Sequence, residues 1–183
     1  MKNNHLQHVS QLIFAMLFVS TSGVLGKYIA MPSEIIVWFR AFLAVFFLYA
    51  YCRYKKIDLS IKMKKDYWTL IIGGLLMAGH WNTYFYALKL SNVAIGMLSL
   101  FTFPVITSLL EPLFNKTKFN PIHIILGLMV LCGIYILSPE FDLESTHVQG
   151  ILYGLVSAVF FSIRFLILKR QVAKYNGTML MLY

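Results

Sequence analysis

The chain has 183 residues, of which 59% are hydrophobic and 13% are charged, and its formal net charge is +9. Soluble domains carry about 25% charged residues, so this composition excludes an ordinary soluble domain and favours a membrane protein. The basic residues lie between apolar segments rather than on one folded face, which argues against a nucleic-acid partner. Cys52 and Cys132 lie on separate apolar segments and predict neither a disulfide framework nor a metal site.

Six segments are long and apolar enough to cross a bilayer, which needs about 17 to 25 mostly apolar residues. The first one resembles a signal peptide, but further spans follow and no clear cleavage site closes it, so we interpret it as an uncleaved span. The predicted fold class is an all-α membrane protein, a polytopic helical bundle whose short joints form antiparallel hairpins. The predicted spans, in chain order, are 11–31, 34–52, 67–89, 93–114, 121–138 and 149–169.

The basic residues also predict how the chain is oriented in the membrane. Lys and Arg stay on the cytoplasmic side of short loops, and a cytoplasmic N-terminus places twelve of the sixteen basic residues there. The outer loop 138–147 carries only acids. We therefore predict a multi-pass protein of the plasma membrane, namely the bacterial inner membrane. Membrane lipids are the expected partners, and anionic headgroups favour the basic loop 53–65.

Four further basic residues lie within or near the predicted spans. Lys89 is at a helix end, where its side chain can snorkel to the surface. A charge at the centre of a span costs at least about 2.5–3.5 kcal/mol, so such residues tend to face the bundle interior or a wet cavity. We predict that Lys27, Arg40 and Arg164 line a substrate pathway. Snorkelling stays open for Lys27, and pairing with Glu34 or a carbonyl stays open for Arg40.

The third span contains the polar sequence "MAGHWNTYFYALK", residues 77–89. Hydrocarbon offers no hydrogen-bond partners, so this polar face should point into the protein or into water. Two alternatives remain open: the side chains line a cavity on the substrate pathway, or they tie neighbouring helices together. The residues concerned are His80, Trp81, Asn82 and Tyr84.

The fourth span contains Pro104 near its middle, which predicts a kink because proline cannot donate to the carbonyl of Leu100. Interrupted spans at mid-depth are where transporters place substrates and hinges, so Pro104 joins the predicted pathway. Glu111 ends this span and predicts an inner-side contact with a basic residue, with a gating or structural role. Glycines at 127 and 133 predict close packing of the fifth span.

Span 1 and span 6 align at an offset of 137 residues, which brings Lys27 opposite Arg164. The second copy begins five spans after the first. Because five is an odd number, the two copies have opposite orientations in the membrane. An inverted repeat of this kind places a binding site between its halves.

Three segments carry a resemblance to the EamA-type drug/metabolite transporter superfamily: "WFRAFLAVFFL" (38–48), "YFYALKLSNVAIGMLSLFTFPVITSLLEPLF" (84–114) and "LGLMVLCGIYIL" (126–137). The resemblance implies ten spans in two inverted five-span repeats, cytoplasmic termini and alternating access. Residues 1–145 would form the first repeat, and 146–183 the sixth span and the start of a truncated second repeat. The chain departs from the family where a seventh span would begin, which predicts either a missing second half or a homodimer.

The expected function is that of a multi-pass transporter that moves small organic metabolites or amino-acid-like solutes through a central cavity. We expect neither an enzyme nor a cofactor, since the H-E-x-x-H, G-x-S-x-G and phosphate-loop motifs do not occur. The alternative, favoured by the short chain, is a non-transporting membrane assembly partner or scaffold.

Overall fold

The computed structural model describes residues 2–115, 121–137 and 145–183. Within these ranges the chain is helical and has no strand, so the predicted all-α fold is confirmed. The eight helices are α1 (Lys2–Tyr28), α2 (Ser33–Tyr54), α3 (Lys64–Leu90), α4 (Val93–Leu100), α5 (Phe103–Asn115), α6 (Ile122–Leu137), α7 (Thr146–Lys169) and α8 (Gly177–Leu182).

Four helical segments of the described chain are both long and apolar enough to cross a membrane. Helix α3 has 27 residues, which is sufficient length, but its polar side chains lower its mean hydropathy. Helix α6 is apolar but has only 16 residues, and the predicted end of its span at 138 lies outside the described ranges. The four segments are Leu6–Tyr28, Ser33–Tyr54, Val93–Asn115 and Thr146–Lys169.

The predicted tight joint between the third and fourth spans is present at Ser91 and Asn92. The Asn92 side chain accepts a hydrogen bond of 2.8 Å from the backbone N–H of Ile95 and so caps the start of α4. Asparagine is a preferred residue at this position because it satisfies a donor that the helix itself leaves unpaired.

The fourth predicted span is broken rather than gently kinked. Helix α4 ends at Leu100 and α5 begins at Phe103, so Pro104 is the second residue of a new helix, where its missing N–H costs little. The Ser162 hydroxyl of α7 donates a hydrogen bond of 3.0 Å to the carbonyl of Phe103 beside this break. The break is thus stabilised by the neighbouring helix.

Helix α7 lies at the centre of the bundle and packs against α3, α4 and α5. Small residues allow this close approach: a Cβ added at Gly154 would lie 2.5 Å from the Cβ of Ser99, and one at Gly150 would lie 2.6 Å from that of Ser91. The four-residue spacing of these glycines is typical of tightly packed membrane helices. The close packing predicted at Gly133 is wrong, because no described residue outside the backbone of its own helix has a heavy atom within 4 Å of its added Cβ.

Candidate functional site

A cavity of about 180 Å³ lies between α2, α3, α7 and α8. Two of the predicted pathway residues, Trp81 and Arg164, line it together with apolar side chains such as Val37 and Met77. The cavity therefore lies where helices of the first five predicted spans meet the sixth span and the helix that follows it.

The cationic side chains near this cavity have no carboxylate partner among the described residues. The Nε atom of Arg164 is buried and has no hydrogen-bond partner in the described part of the chain. The Arg40 guanidinium lies over the ring of Trp81, 4.9 Å from its centroid, in a cation–π contact. The expected alternative partner, Glu34, instead accepts a hydrogen bond from the hydroxyl of Tyr86.

His80 does not line this cavity, and its place on a substrate pathway stays a prediction. His80 is only 5% exposed, because it lies where its own helix, α3, packs against α7. Its Nδ1 lies 2.9 Å from the Ser157 hydroxyl, and that hydroxyl donates to the His80 carbonyl at 2.9 Å. The Phe161 ring lies 4.8 Å away. Of the two alternatives for the polar face, His80 fits the interhelical tie.

Tyr84 and Asn82 also lie away from the cavity wall. Tyr84 is 8% exposed and faces α1 at Gly23, where an added Cβ would lie 2.9 Å from the phenol oxygen. The Asn82 amide donates to the Ala78 carbonyl within α3 at 3.1 Å, while its Oδ1 is buried without a partner among the described residues. Only Trp81 of the predicted polar face lines the cavity.

Lys27 ties α1 to the end of α3. Its ammonium group donates to the carbonyls of Lys89 at 2.9 Å and Ser91 at 2.5 Å. A cation is favourable here because helix C-termini expose unpaired carbonyls and carry partial negative charge. Lys27 and Arg164, which align in the proposed repeat, therefore have different environments: one caps a helix and the other lines a cavity.

Glu111 lies at the far end of α5, where it pairs with a basic residue. The Lys169 ammonium of α7 is 2.6 Å from its carboxylate, and the Asn115 amide donates to the same oxygen at 3.3 Å. The contact fixes α5 to α7, and a gating role stays a prediction. Pro104, at the other end of α5, is exposed and does not line the cavity.

The sequence reasoning missed a polar cluster around Asp66, which is 2% exposed. Its carboxylate accepts hydrogen bonds from Tyr175 (2.9 Å), Gln171 (3.1 Å) and Lys174 (3.3 Å). Burial disfavours the charged form, but these donors outweigh it and hold the pKa of Asp66 below its ordinary value. In the sequence, an acidic residue next to Lys64 and Lys65 was the signal for this cluster. Its hydrogen-bond partners could not be predicted because they lie more than a hundred residues away in sequence.

The apolar helices and their packing define a polytopic helical membrane protein. The model of the EamA-like transporter family matches residues 8–138, and the chain belongs to that family, within the drug/metabolite transporter superfamily. The family consists of membrane transporters rather than enzymes. No curated protein and no solved structure matches the chain significantly.

Proposed function

We propose that the chain forms part of a carrier that moves small organic solutes with an anionic group by alternating access. The solute binds in the cavity at Trp81 and Arg164. Residues 1–145 form the first repeat, and 146–183 begin the second. The carrier lies in the bacterial inner membrane with its N-terminus in the cytoplasm, an orientation that the distribution of lysine and arginine supports.

The observation that carries this proposal is Arg164, which lines the cavity and whose buried Nε has no partner in the described chain. A buried guanidinium donor left unpaired is costly, and a bound carboxylate would satisfy it. Trp81 would add an apolar and stacking surface next to that anion. Arginine can bind a carboxylate in a bidentate fashion, which suits amino-acid-like and carboxylic-acid solutes.

The size of the cavity also supports a small solute. Pockets for drug-sized ligands occupy about 300–1,000 Å³, whereas this one occupies about 180 Å³. We therefore propose a metabolite of amino-acid size rather than a bulky drug as the transported molecule.

Uptake into liposomes that contain the purified chain tests the proposal. Radiolabelled amino acids and monocarboxylates are compared with cationic amines of similar size. We expect uptake of an anionic member of the panel and an apparent affinity about 10- to 150-fold weaker for Arg164→Gln, the loss that follows from removing a charge-assisted hydrogen bond.

Arg53→Gln is the matched control, because Arg53 is exposed and does not line the cavity. It should leave uptake unchanged. Preference for the cationic amines, or equal uptake by Arg164→Gln and the control, would contradict the proposed anion site. Absence of any uptake would favour the assembly-partner alternative.

A further inference from the structure

A second pocket, of about 250 Å³, lies between the α2–α3 loop and the segment that joins α7 to α8. Four lysines line this lysine pocket, namely Lys55, Lys56, Lys62 and Lys174, against the single carboxylate of Asp58. Lys174 also pairs with Asp66 at 3.3 Å. The other three lysines form no ion pair with any described residue. The pocket therefore holds an excess of positive charge.

Asp58 cannot neutralise that excess. Hydrogen bonds from Ser60, including a backbone N–H at 2.9 Å, hold the pKa of Asp58 below its ordinary value. The carboxylate is thus charged at neutral pH, but it offsets only one of the four ammonium groups. A further anion in the pocket would be electrostatically favourable.

The fold keeps the lysine pocket in place. The Lys62 backbone N–H donates to the hydroxyl of Tyr175 at 3.1 Å, and the Tyr183 hydroxyl donates to the Leu59 carbonyl at 3.2 Å. Beneath them, Leu70 is part of a buried apolar cluster that includes Tyr175. The backbone of the loop is therefore anchored at two points.

Lys56 lies at the end of α2, where the chain takes a left-handed backbone conformation. Its φ of 53° is in the left-handed region, where the helix-ending motif usually has glycine. The motif is completed by the Ile57 N–H, which donates to the Cys52 carbonyl at 2.9 Å, and by the Lys56 N–H, which donates to the Arg53 carbonyl at 3.2 Å. This turn places Lys56 on the wall of the lysine pocket.

An apolar groove of about 480 Å³ adjoins the lysine pocket, and Lys62 lines both. The groove is formed by side chains that include Tyr67, Trp68 and Ile71, and Trp68 is 67% exposed. Exposed Trp and Tyr beside a lysine-rich loop are typical of the level where a membrane meets water. A cationic pocket joined to an apolar groove matches a molecule with an anionic head and a hydrocarbon tail.

We propose that this surface binds one anionic phospholipid, with its phosphate in the lysine pocket and an acyl chain along the groove of Tyr67, Trp68 and Ile71. The shared Lys62 favours a lipid over a soluble phosphate ester, because only the lipid fills both halves. The loop lies on the face that the positive-inside rule assigns to the cytoplasmic leaflet, which is rich in anionic lipid.

Titration of the purified full chain in uncharged detergent tests the proposal, because no membrane surface potential is present there. The probes are dioctanoyl phosphatidylglycerol, dioctanoyl phosphatidylcholine and glycerol phosphate, and native mass spectrometry reports the bound molecule. We expect one phosphatidylglycerol per chain, with much weaker binding of the other two probes. Equal affinity for phosphatidylcholine would overturn the anion site, and equal affinity for glycerol phosphate would overturn the lipid.

The double substitution Lys56→Gln/Lys62→Gln should weaken phosphatidylglycerol binding about thirtyfold. Arg53→Gln/Lys65→Gln is the matched control, because it removes two exposed charges from the same face but none from the lysine pocket. The control should bind with an affinity close to that of the original chain. An equal loss in both variants would show diffuse attraction and overturn the specific site.

Lys56→Gly separates binding from folding. Glycine relieves the left-handed backbone, so the melting temperature without lipid should rise, while the additional rise caused by phosphatidylglycerol should shrink. A purely structural role for Lys56 predicts an unchanged lipid-induced rise. That result would remove Lys56 from the site.

Discussion

Substitution of Gly154 by alanine would disturb the contact between α7 and α4, and the structure gives the size of the steric overlap. The new Cβ would lie 2.5 Å from the Cβ of Ser99, 0.9 Å short of the 3.4 Å at which ordinary contact begins. Ser99 is fully buried, and the overlapping atom is its Cβ, which is fixed to the backbone and cannot move by side-chain rotation. Either α7 or α4 must therefore move.

Overpacking of this kind costs about 1–3 kcal/mol, partly offset by the better helix propensity of alanine, which is worth about 0.5–1 kcal/mol. We expect Gly154→Ala to lower the free energy of unfolding by about 1–2 kcal/mol. Gly133→Ala on α6 is the matched control, because in the described part of the chain its added Cβ meets no heavy atom within 4 Å apart from the backbone of its own helix. It should be neutral or stabilising by up to about 1 kcal/mol.

Unfolding by a denaturing detergent in mixed micelles, followed by circular dichroism, measures both variants under the same conditions. The difference in unfolding free energy between Gly154→Ala and Gly133→Ala should be about 2 kcal/mol. Equal values for the two variants would refute the close contact of α7 with α4.

Three further predictions concern the polar ties. A double-mutant cycle of His80→Ala and Ser157→Ala in the same unfolding assay should give a coupling of about 0.6–1.7 kcal/mol, and additive effects would contradict the tie. Glu111→Gln should lower the free energy of unfolding by at most about 1 kcal/mol in the same assay, because the ion pair of Glu111 with Lys169 is partly exposed. A larger loss would show that Glu111 stabilises the fold by more than a surface ion pair does. Because the pKa of Asp66 is lowered in the folded state, its carboxylate stabilises the fold above about pH 3.8. This contribution is lost as the pH falls through the pKa of the folded state. In a pH series, the melting temperature of Asp66→Asn should therefore decline less at acid pH than that of the original chain.

Much of the fold followed from hydropathy alone. Segment length and apolar composition predicted the helices, whereas Pro104 predicted only a kink at the place where the structure has a break between α4 and α5. The family resemblance, carried by "YFYALKLSNVAIGMLSLFTFPVITSLLEPLF", was confirmed by the match over residues 8–138. These features are local, so they can be read from neighbouring residues.

The candidate site was harder to predict because it depends on which helix lies opposite a given face. His80 and Trp81 are adjacent in sequence, yet one is enclosed by Ser157 of α7 and the other lines a cavity with Arg164. Polarity alone could not separate them. The spacing of Gly150 and Gly154 was a readable signal that α7 is the close-packed helix, and it was overlooked.

A solute pathway through the cavity between α2, α3, α7 and α8 requires that water reaches this cavity, and labelling of cysteines with a membrane-impermeant maleimide detects that water. In a chain without its native cysteines, Ala44→Cys lies on the cavity wall, whereas Phe46→Cys, two residues further along α2, does not. We expect labelling of Ala44→Cys and none of Phe46→Cys in intact membrane vesicles of both orientations. An unlabelled Ala44→Cys, or equal labelling at both positions, would contradict a solvated pathway through this cavity.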